Sequence, residues 1–129
     1  MALTYLDTSV ALAQLLGEDR TPPVSLWRET LVSSRLFEYE LWTRLHARGL
    51  GKSHGAAARD LLARLAFVEM MPPVMGRAAD PFPIPVRTRD ALHLATADFL
   101  RTRRQEVQLA SYDDRQCAAA VRMGFTLLF

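Results

Sequence analysis

The 129-residue sequence is short of several residue types and patterns, and each shortage excludes a class of protein. Its single cysteine, Cys117, excludes an intrachain disulfide framework and fits a reducing compartment. No apolar run is long enough to cross a bilayer, and no basic stretch followed by a long apolar one marks a signal peptide. We therefore expect a cytoplasmic protein with no membrane partner.

Charge of one sign is not in large excess either. The formal net charge is +2, so the total charge by itself does not require a nucleic-acid partner. Lys52 is the only lysine, and the other cations are arginines, which hold phosphate bidentately. Genomic base composition is the simpler explanation of that bias. With 50% hydrophobic and 23% charged residues, the composition is that of an ordinary globular protein with a core.

Short apolar runs alternate with helical patterns along the chain. Strands are predicted at about 3–7, 31–33, 67–71, 107–111 and 125–129. Helices are predicted at about 11–16, 35–46, 53–66, 90–100 and 115–123. The prolines at 81, 83 and 85 predict an extended loop. This alternation favours an α/β fold, with a parallel sheet covered by helices on both faces.

Carboxylates stand where two of the predicted strands end. Asp7 follows Leu6 directly, and Asp113 comes two residues after Ser111, at the end of the fourth strand. The carboxyl ends of parallel strands meet at one edge of a sheet, which is where α/β proteins bind their ligands. We therefore expect Asp7 and Asp113 to lie close together.

Asp90 opens the predicted helix at 90–100. A helix N-terminus favours a carboxylate electrostatically by about 0.3–1 kcal/mol, so a simple capping role is the structural alternative for this residue. Its neighbours Arg87 and Arg89 could neutralise it. Because the starts of helices that follow strands also lie at the carboxyl edge of the sheet, Asp90 can reach the same place as Asp7.

Glu40 lies among the apolar positions of the helix predicted at 35–46. A carboxylate beside an apolar face is unfavourable to bury without a partner. Taken alone, Glu40 is best interpreted as a solvent-exposed partner of Arg44, four residues later. Its position one to two turns into the helix nevertheless allows it to join the other three acids.

Four carboxylates gathered at one rim need a counter-ion, because like charges a few ångströms apart raise each other's pKa. A hard divalent cation such as Mg²⁺ or Mn²⁺ takes oxygen ligands and keeps several waters. It can also activate a water and stabilise the charge that builds on a phosphodiester. His93 is expected to be a satisfied core or rim histidine, because no second histidine or cysteine lies at ligand spacing.

Several blocks of the sequence together resemble one known family. They are Leu-Asp-Thr-Ser at 6–9, Phe-Glu-Tyr-Glu-Leu-Trp at 37–42, Arg-Thr-Arg-Asp-Ala-Leu-His-Leu-Ala-Thr-Ala at 87–97 and Leu-Ala-Ser-Tyr-Asp-Asp-Arg at 109–115. Over nearly its whole length the chain resembles a PIN domain, and more narrowly the toxin ribonucleases of VapBC-type toxin–antitoxin pairs. The resemblance implies one PIN-like nuclease domain over 1–129. Its expected fold is a three-layer α/β/α sandwich with a mostly parallel central sheet of about five strands.

The resemblance also implies an activity, partners and a site. We expect an Mg²⁺- or Mn²⁺-dependent endoribonuclease, the toxin of a type II pair, with RNA as substrate, a cognate antitoxin as partner and a homodimeric assembly. The residues that match the family's catalytic and metal-binding acids are Asp7, Glu40, Asp90 and Asp113. Those expected to support them are Thr8, Ser9 and Ser111.

Other interpretations stay open at this point. The main alternative is a catalytically weak PIN-like binding or scaffold module that acts through protein–protein contacts, since aromatic residues such as Tyr39 could form a patch for a partner helix. A phosphatase with an aspartyl nucleophile is less favoured, because Ser9 stands where a second aspartate is needed and Lys52 lacks a phosphate-binding context. Of the other acids, Asp114 is assigned to the surface and Asp98 to solvent.

Overall fold

A five-stranded sheet forms the centre of the structure, a computed structural model that describes residues 2–129. In chain order its strands are β1 (Ala2–Leu6), β2 (Thr30–Ser34), β3 (Ala66–Val68), β4 (Glu106–Ala110) and β5 (Thr126–Leu127). Across the sheet the order is β3-β2-β1-β4-β5, and every neighbouring pair is parallel. Because β1 is the middle strand, the residue after it, Asp7, emerges at the centre of the sheet's carboxyl edge.

Within residues 2–129, six α-helices cover the two faces of this sheet. They are α1 (Thr8–Leu16), α2 (Arg35–Ala47), α3 (Gly51–Leu62), α4 (Pro72–Ala78), α5 (Thr88–Thr102) and α6 (Asp114–Arg122). Helices α1 to α3 share one buried apolar cluster with the sheet, α5 and α6 share a second one, and α4 packs on α5. The predicted α/β/α sandwich with a parallel sheet is confirmed. None of these helices has both the length and the apolar character that a bilayer crossing requires.

The helix ends nearest the sheet follow from local chemistry. The Ser34 hydroxyl caps α2 by accepting the Leu36 N–H at 3.1 Å. Gly17 ends α1 in the left-handed region, at φ 62°, where a residue without a Cβ is favoured. A short 3₁₀ helix, Val24–Arg28, occupies the stretch between α1 and β2. Of these features, the Ser34 cap fixes the start of α2, the helix that carries Glu40, directly at the end of β2.

The structure differs from the predicted boundaries around β3. Helix α3 spans Gly51–Leu62 instead of 53–66, without a side-chain cap. Strand β3 ends at Val68, not at 71, and α4 then begins at Pro72. A proline in the first turn of a helix loses no hydrogen bond, since its missing N–H would have had no partner there. The proline pair at 72 and 73 therefore starts a helix.

Candidate active site

Asp7 is fully buried at the end of β1, in the middle of the carboxyl edge. Its backbone N–H donates to the Ala110 carbonyl at 2.9 Å, which ties the end of β1 to the end of β4. Its Oδ2 caps α1 by accepting the Ser9 N–H at 3.2 Å and also accepts the hydroxyls of Ser9, at 2.5 Å, and Ser111, at 3.2 Å. Three donors thus hold Oδ2, and they fix the direction in which Oδ1 points.

Asp113 reaches the same edge from the neighbouring strand end. Its Oδ1 caps α6 by accepting the Gln116 N–H at 3.1 Å. The Ser111 hydroxyl accepts the Asp113 N–H at 3.0 Å while it donates to Asp7. One serine side chain therefore links the two strand-end acids. They are 106 positions apart in the sequence, and the parallel sheet brings them together.

Glu40 arrives from α2 and points towards these acids. Its Oε1 accepts the Thr8 hydroxyl at 3.1 Å and pairs with His93 Nε2 at 2.5 Å, while Arg89 Nε donates to its Oε2 at 2.5 Å. Its side chain is only 12% exposed. The expectation for Glu40 alone, a solvent pair with Arg44, is therefore wrong, because Arg89 neutralises its carboxylate inside the fold while Thr8 and His93 form hydrogen bonds with it.

His93 is completely buried and orients the Glu40 side chain through its contact with Oε1. Its Nδ1 lies 2.6 Å from the Tyr5 hydroxyl, which accepts the Ser34 N–H at 3.2 Å. Nε2 faces Glu40 on the other side of the ring, so each ring nitrogen of His93 has one hydrogen-bond partner. Burial raises the pKa of Tyr5, which keeps its hydroxyl protonated. The satisfied core histidine predicted from the sequence is confirmed.

Arg89 joins the four acids, which we call the acid cluster, into one network. Its Nη2 donates to Asp7 Oδ1 at 3.0 Å, and its Nη1 lies 3.3 Å from Asp90 Oδ1 and 3.4 Å from Asp113 Oδ2. Its bond to Glu40 completes the set. The structure thus brings all four predicted acids together around a single guanidinium.

The acid cluster opens into a cleft of about 610 Å³. The less exposed lining residues, at its inner end, include Thr8, Ser9, Glu40, Arg89 and Asp113, and the exposed ones include the acids Glu18 and Asp19 and the arginines Arg20 and Arg44. Oxygen ligands at the inner end of a cleft, with arginines on its exposed wall, suit a polyanion whose backbone reaches the acids.

Comparison with known proteins shows which family has this arrangement. The family model of the PIN domain matches residues 4–122. The chain belongs to the PIN domain family. Over 131 residues this PIN domain is 32% identical to "Ribonuclease VapC46" of Mycobacterium tuberculosis (strain ATCC 25618 / H37Rv), covering 99% of this chain and 98% of the relative. Over 130 residues it is 30% identical to "Ribonuclease VapC47" of M. tuberculosis (strain CDC 1551 / Oshkosh), covering 95% and 93%. The predicted membership of the VapC-type PIN ribonucleases is confirmed.

The other two acids considered from the sequence lie outside the acid cluster of the PIN domain. The Asp114 side chain is 94% exposed and 4.0 Å from Arg20, so the surface position predicted for it is confirmed. Asp98 is only 15% exposed and forms ion pairs of 2.8 Å with both Arg77 and Arg101. The solvent-facing position expected for Asp98 is wrong, because α4 and the end of α5 each place a guanidinium against it.

Two residues of the site were missed or undervalued by sequence reasoning. Arg89 was considered only as a neutralising neighbour of Asp90. Gln116, not considered at all, is fully buried and donates from Nε2 to Asp7 Oδ1 at 3.3 Å, while its Oε1 has no hydrogen-bond partner within residues 2–129. The sequence did contain a signal for Gln116. It lies three residues after Asp113, in the first turn of a helix that starts at the site.

The carboxyls of the PIN domain differ in the direction of their pKa shifts. For Asp7 and Glu40, burial raises the pKa, but interactions with His93 and Arg89 outweigh it, and the net pKa is lowered. For Asp90, burial and repulsion by Asp113 raise the pKa more than Arg89 lowers it. Of these three carboxyls, Asp90 is therefore the one whose negative charge is least well compensated in the metal-free protein.

These shifts predict how the stability of the metal-free protein depends on pH. Stabilisation by Asp7 and Glu40 is fully present above the unfolded-state pKa of about 4 and is lost as the pH falls through their lowered values. The contribution of Asp90 has the opposite sign, since its stabilisation is present below about 4 and is lost as the pH rises through its raised pKa. In EDTA, Asp90→Asn should raise Tm by a few degrees at neutral pH, and the gain should shrink towards pH 4.

Thermal unfolding by circular dichroism across this pH range measures the difference between Asp90→Asn and the unmodified chain. A Tm for Asp90→Asn that is lower at neutral pH would contradict the assignment of Asp90 as the poorly compensated acid.

The donor set of the PIN domain is suited to a hard divalent cation. Mg²⁺ and Mn²⁺ prefer carboxylate oxygens, and four carboxylates converge on one point at the inner end of the cleft. As they stand, no three His, Cys, Asp or Glu side chains of residues 2–129 are arranged to hold an ion. The residue types fit the cation, whereas the side chains must rearrange around it.

Proposed function

We propose that this chain is an Mg²⁺- or Mn²⁺-dependent endoribonuclease that hydrolyses RNA phosphodiester bonds, and that it is the toxin of a toxin–antitoxin pair. The single observation that carries the proposal is the convergence of the acid cluster at the inner end of a cleft in a PIN domain. The names of its nearly full-length relatives, both ribonucleases, support RNA as the substrate.

The acids take different roles in this proposal. A bound Mg²⁺ or Mn²⁺ would supply Lewis-acid activation of a water and of the scissile phosphate. Asp7 and Asp90 would be its firmest ligands, and Glu40 would contribute directly or through a water. Asp113, with a side chain that is 30% exposed at the cleft, would orient the attacking water.

The hydroxyl residues would act by fixing the carboxylates. Ser9 and Ser111 hold Asp7 Oδ2, and Thr8 holds Glu40 Oε1. Such supporting hydrogen bonds orient metal ligands, and their loss commonly reduces metal affinity or activity by about 10–100-fold. These three side chains would therefore keep the acids aligned through the reaction.

The partners follow from the same assignment. The RNA backbone would lie in the cleft, where Arg20 and Arg44 offer guanidinium groups to phosphate. A cognate antitoxin would silence the enzyme, the chain would act as a homodimer, and its substrate would place it in the cytoplasm. The alternative of a catalytically weak scaffold module is not favoured, because the four acids are all present and meet.

Chelation tests the proposal directly. The purified chain should cleave total RNA in Mg²⁺ or Mn²⁺, lose this activity in excess EDTA, and regain it when Mn²⁺ is restored. Cleavage is followed by denaturing gel electrophoresis of the RNA. Cleavage that persists in EDTA, or its absence in both metals, would contradict a metal-dependent ribonuclease.

A further inference from the structure

Arg89 occupies the point at which the oxygens of the acid cluster converge. Its three nitrogens contact Asp7, Glu40, Asp90 and Asp113 at distances of 2.5 to 3.4 Å. We propose that Arg89 is the resident counter-cation of this site and that its guanidinium leaves the acid cluster when Mg²⁺ or Mn²⁺ binds. This inference rests on the proposed function, because it takes the acid cluster as the metal site.

The guanidinium and a divalent cation compete for the same oxygens. Asp7 Oδ2 already accepts from three donors of the chain, so Oδ1, which accepts from Arg89 and Gln116, is the Asp7 oxygen for which a metal would compete with Arg89. As the side chains stand, no three acidic, histidine or cysteine side chains of residues 2–129 are arranged to share an ion. A second cation beside the guanidinium would also be repelled by it, strongly so where water is largely excluded. Binding of the metal therefore requires that Arg89 move.

The structure leaves room for this movement. The Arg89 side chain is 29% exposed and forms part of the wall of the 610 Å³ cleft, so its guanidinium can swing outwards while the backbone of α5 stays in place. Arg20 and Arg44 line the same cleft. Once released, Arg89 would be a third arginine in position to bind an RNA phosphate. The exchange would thus couple metal binding to the preparation of the substrate cleft.

Competition of this kind lowers the apparent affinity for metal. If the acid cluster is free of Arg89 only a fraction of the time, the apparent Kd is the intrinsic Kd divided by that fraction. A site that is free about one tenth of the time would bind Mn²⁺ about tenfold more weakly than a site without the arginine. Removing the guanidinium should therefore tighten metal binding, which is the opposite of what the loss of a supporting residue would do.

The experiment compares Arg89→Gln with Arg87→Gln in the full chain, without RNA. Arg87 carries the same charge two residues earlier, with an exposed side chain, and is the matched control. Calorimetric titration with Mn²⁺ should show a Kd at least about tenfold lower for Arg89→Gln than for the unmodified chain and an unchanged Kd for Arg87→Gln. In EDTA, Arg89→Gln should also have the lower Tm, because its four acids lose their counter-cation.

An equal or weaker affinity of Arg89→Gln for Mn²⁺, or equal tightening by Arg87→Gln, would overturn the exchange. If Arg89→Gln does not fold in EDTA, Arg89→Lys is used instead, since one ammonium cannot bridge four carboxylates as a guanidinium does. It too must bind Mn²⁺ more tightly than the unmodified chain, or the proposal is wrong. These results are independent of the test of the proposed function. If the unmodified chain cleaves RNA and EDTA stops the cleavage, the metal-dependent nuclease is established even where the exchange of Arg89 is wrong.

Discussion

Asp7→Asn should lower metal-dependent RNA cleavage by at least about 100-fold while the chain remains folded. Asn has the same shape and keeps an oxygen to accept from Ser9 and Ser111, but it removes the negative charge at the centre of the acid cluster. Loss of an outer partner of a metal ligand already costs about 10–100-fold, so loss of a ligand should cost at least the upper end of that range. The initial rate of RNA cleavage in saturating Mn²⁺, with a circular dichroism spectrum, measures both parts of the prediction.

Asp114→Asn is the matched control for this experiment. Asp114 is the same residue type, lies one position after Asp113, and has a side chain that is 94% exposed. Its substitution should change the cleavage rate by less than about twofold, because an exposed ion pair contributes little. Equal losses in Asp7→Asn and Asp114→Asn would show that the wrong acids were assigned, and full activity of Asp7→Asn would remove the metal-site proposal.

His93→Leu should destabilise the metal-free protein by about 2–4 kcal/mol, although His93 is not assigned as a metal ligand. Leucine fills a similar volume but leaves the buried Tyr5 hydroxyl without its partner on His93 and removes a hydrogen-bond partner from Glu40. Glu40 keeps Thr8 and Arg89, which is why the loss should stay below that of a fully unpaired buried charge. For a chain of this size the expected fall in Tm is on the order of 10 °C.

The Tyr5→Phe variant distinguishes the stability contributed by the hydrogen bonds of the Tyr5 hydroxyl from that contributed by packing of its ring. It keeps the buried ring but leaves His93 Nδ1 and the Ser34 N–H without the hydroxyl, at an expected cost of about 1–3 kcal/mol. Because the two residues share one bond, the double variant should lose less stability than the sum of the single variants. Strictly additive losses of stability, or a His93→Leu protein as stable as the unmodified chain, would show that the hydrogen bonds from Tyr5 through His93 do not support Glu40.

Much of the fold was predictable from local patterns in the sequence. The strand-ending positions of Asp7 and Asp113 follow from apolar runs that stop at a polar turn. The cap at Ser34 follows from a side-chain hydrogen bond, and the cap at Gly17 from the left-handed backbone that glycine adopts without strain. The boundaries around β3 were not predictable in this way, because proline pairs both stop strands and start helices. Which of the two occurs depends on how α4 packs against α5.

The sequence by itself determined which acids stand at the ends of strands and the starts of helices, and a parallel sheet brings such ends to one edge. Only the tertiary structure decided which side chains neutralise them. Glu40 meets an arginine 49 residues away instead of Arg44, and Asp98 meets Arg77 instead of water. Secondary structure depends mainly on interactions between residues that are close in sequence. The partner of a buried charge is instead the donor that the packing of separate elements places within about 3 Å of it.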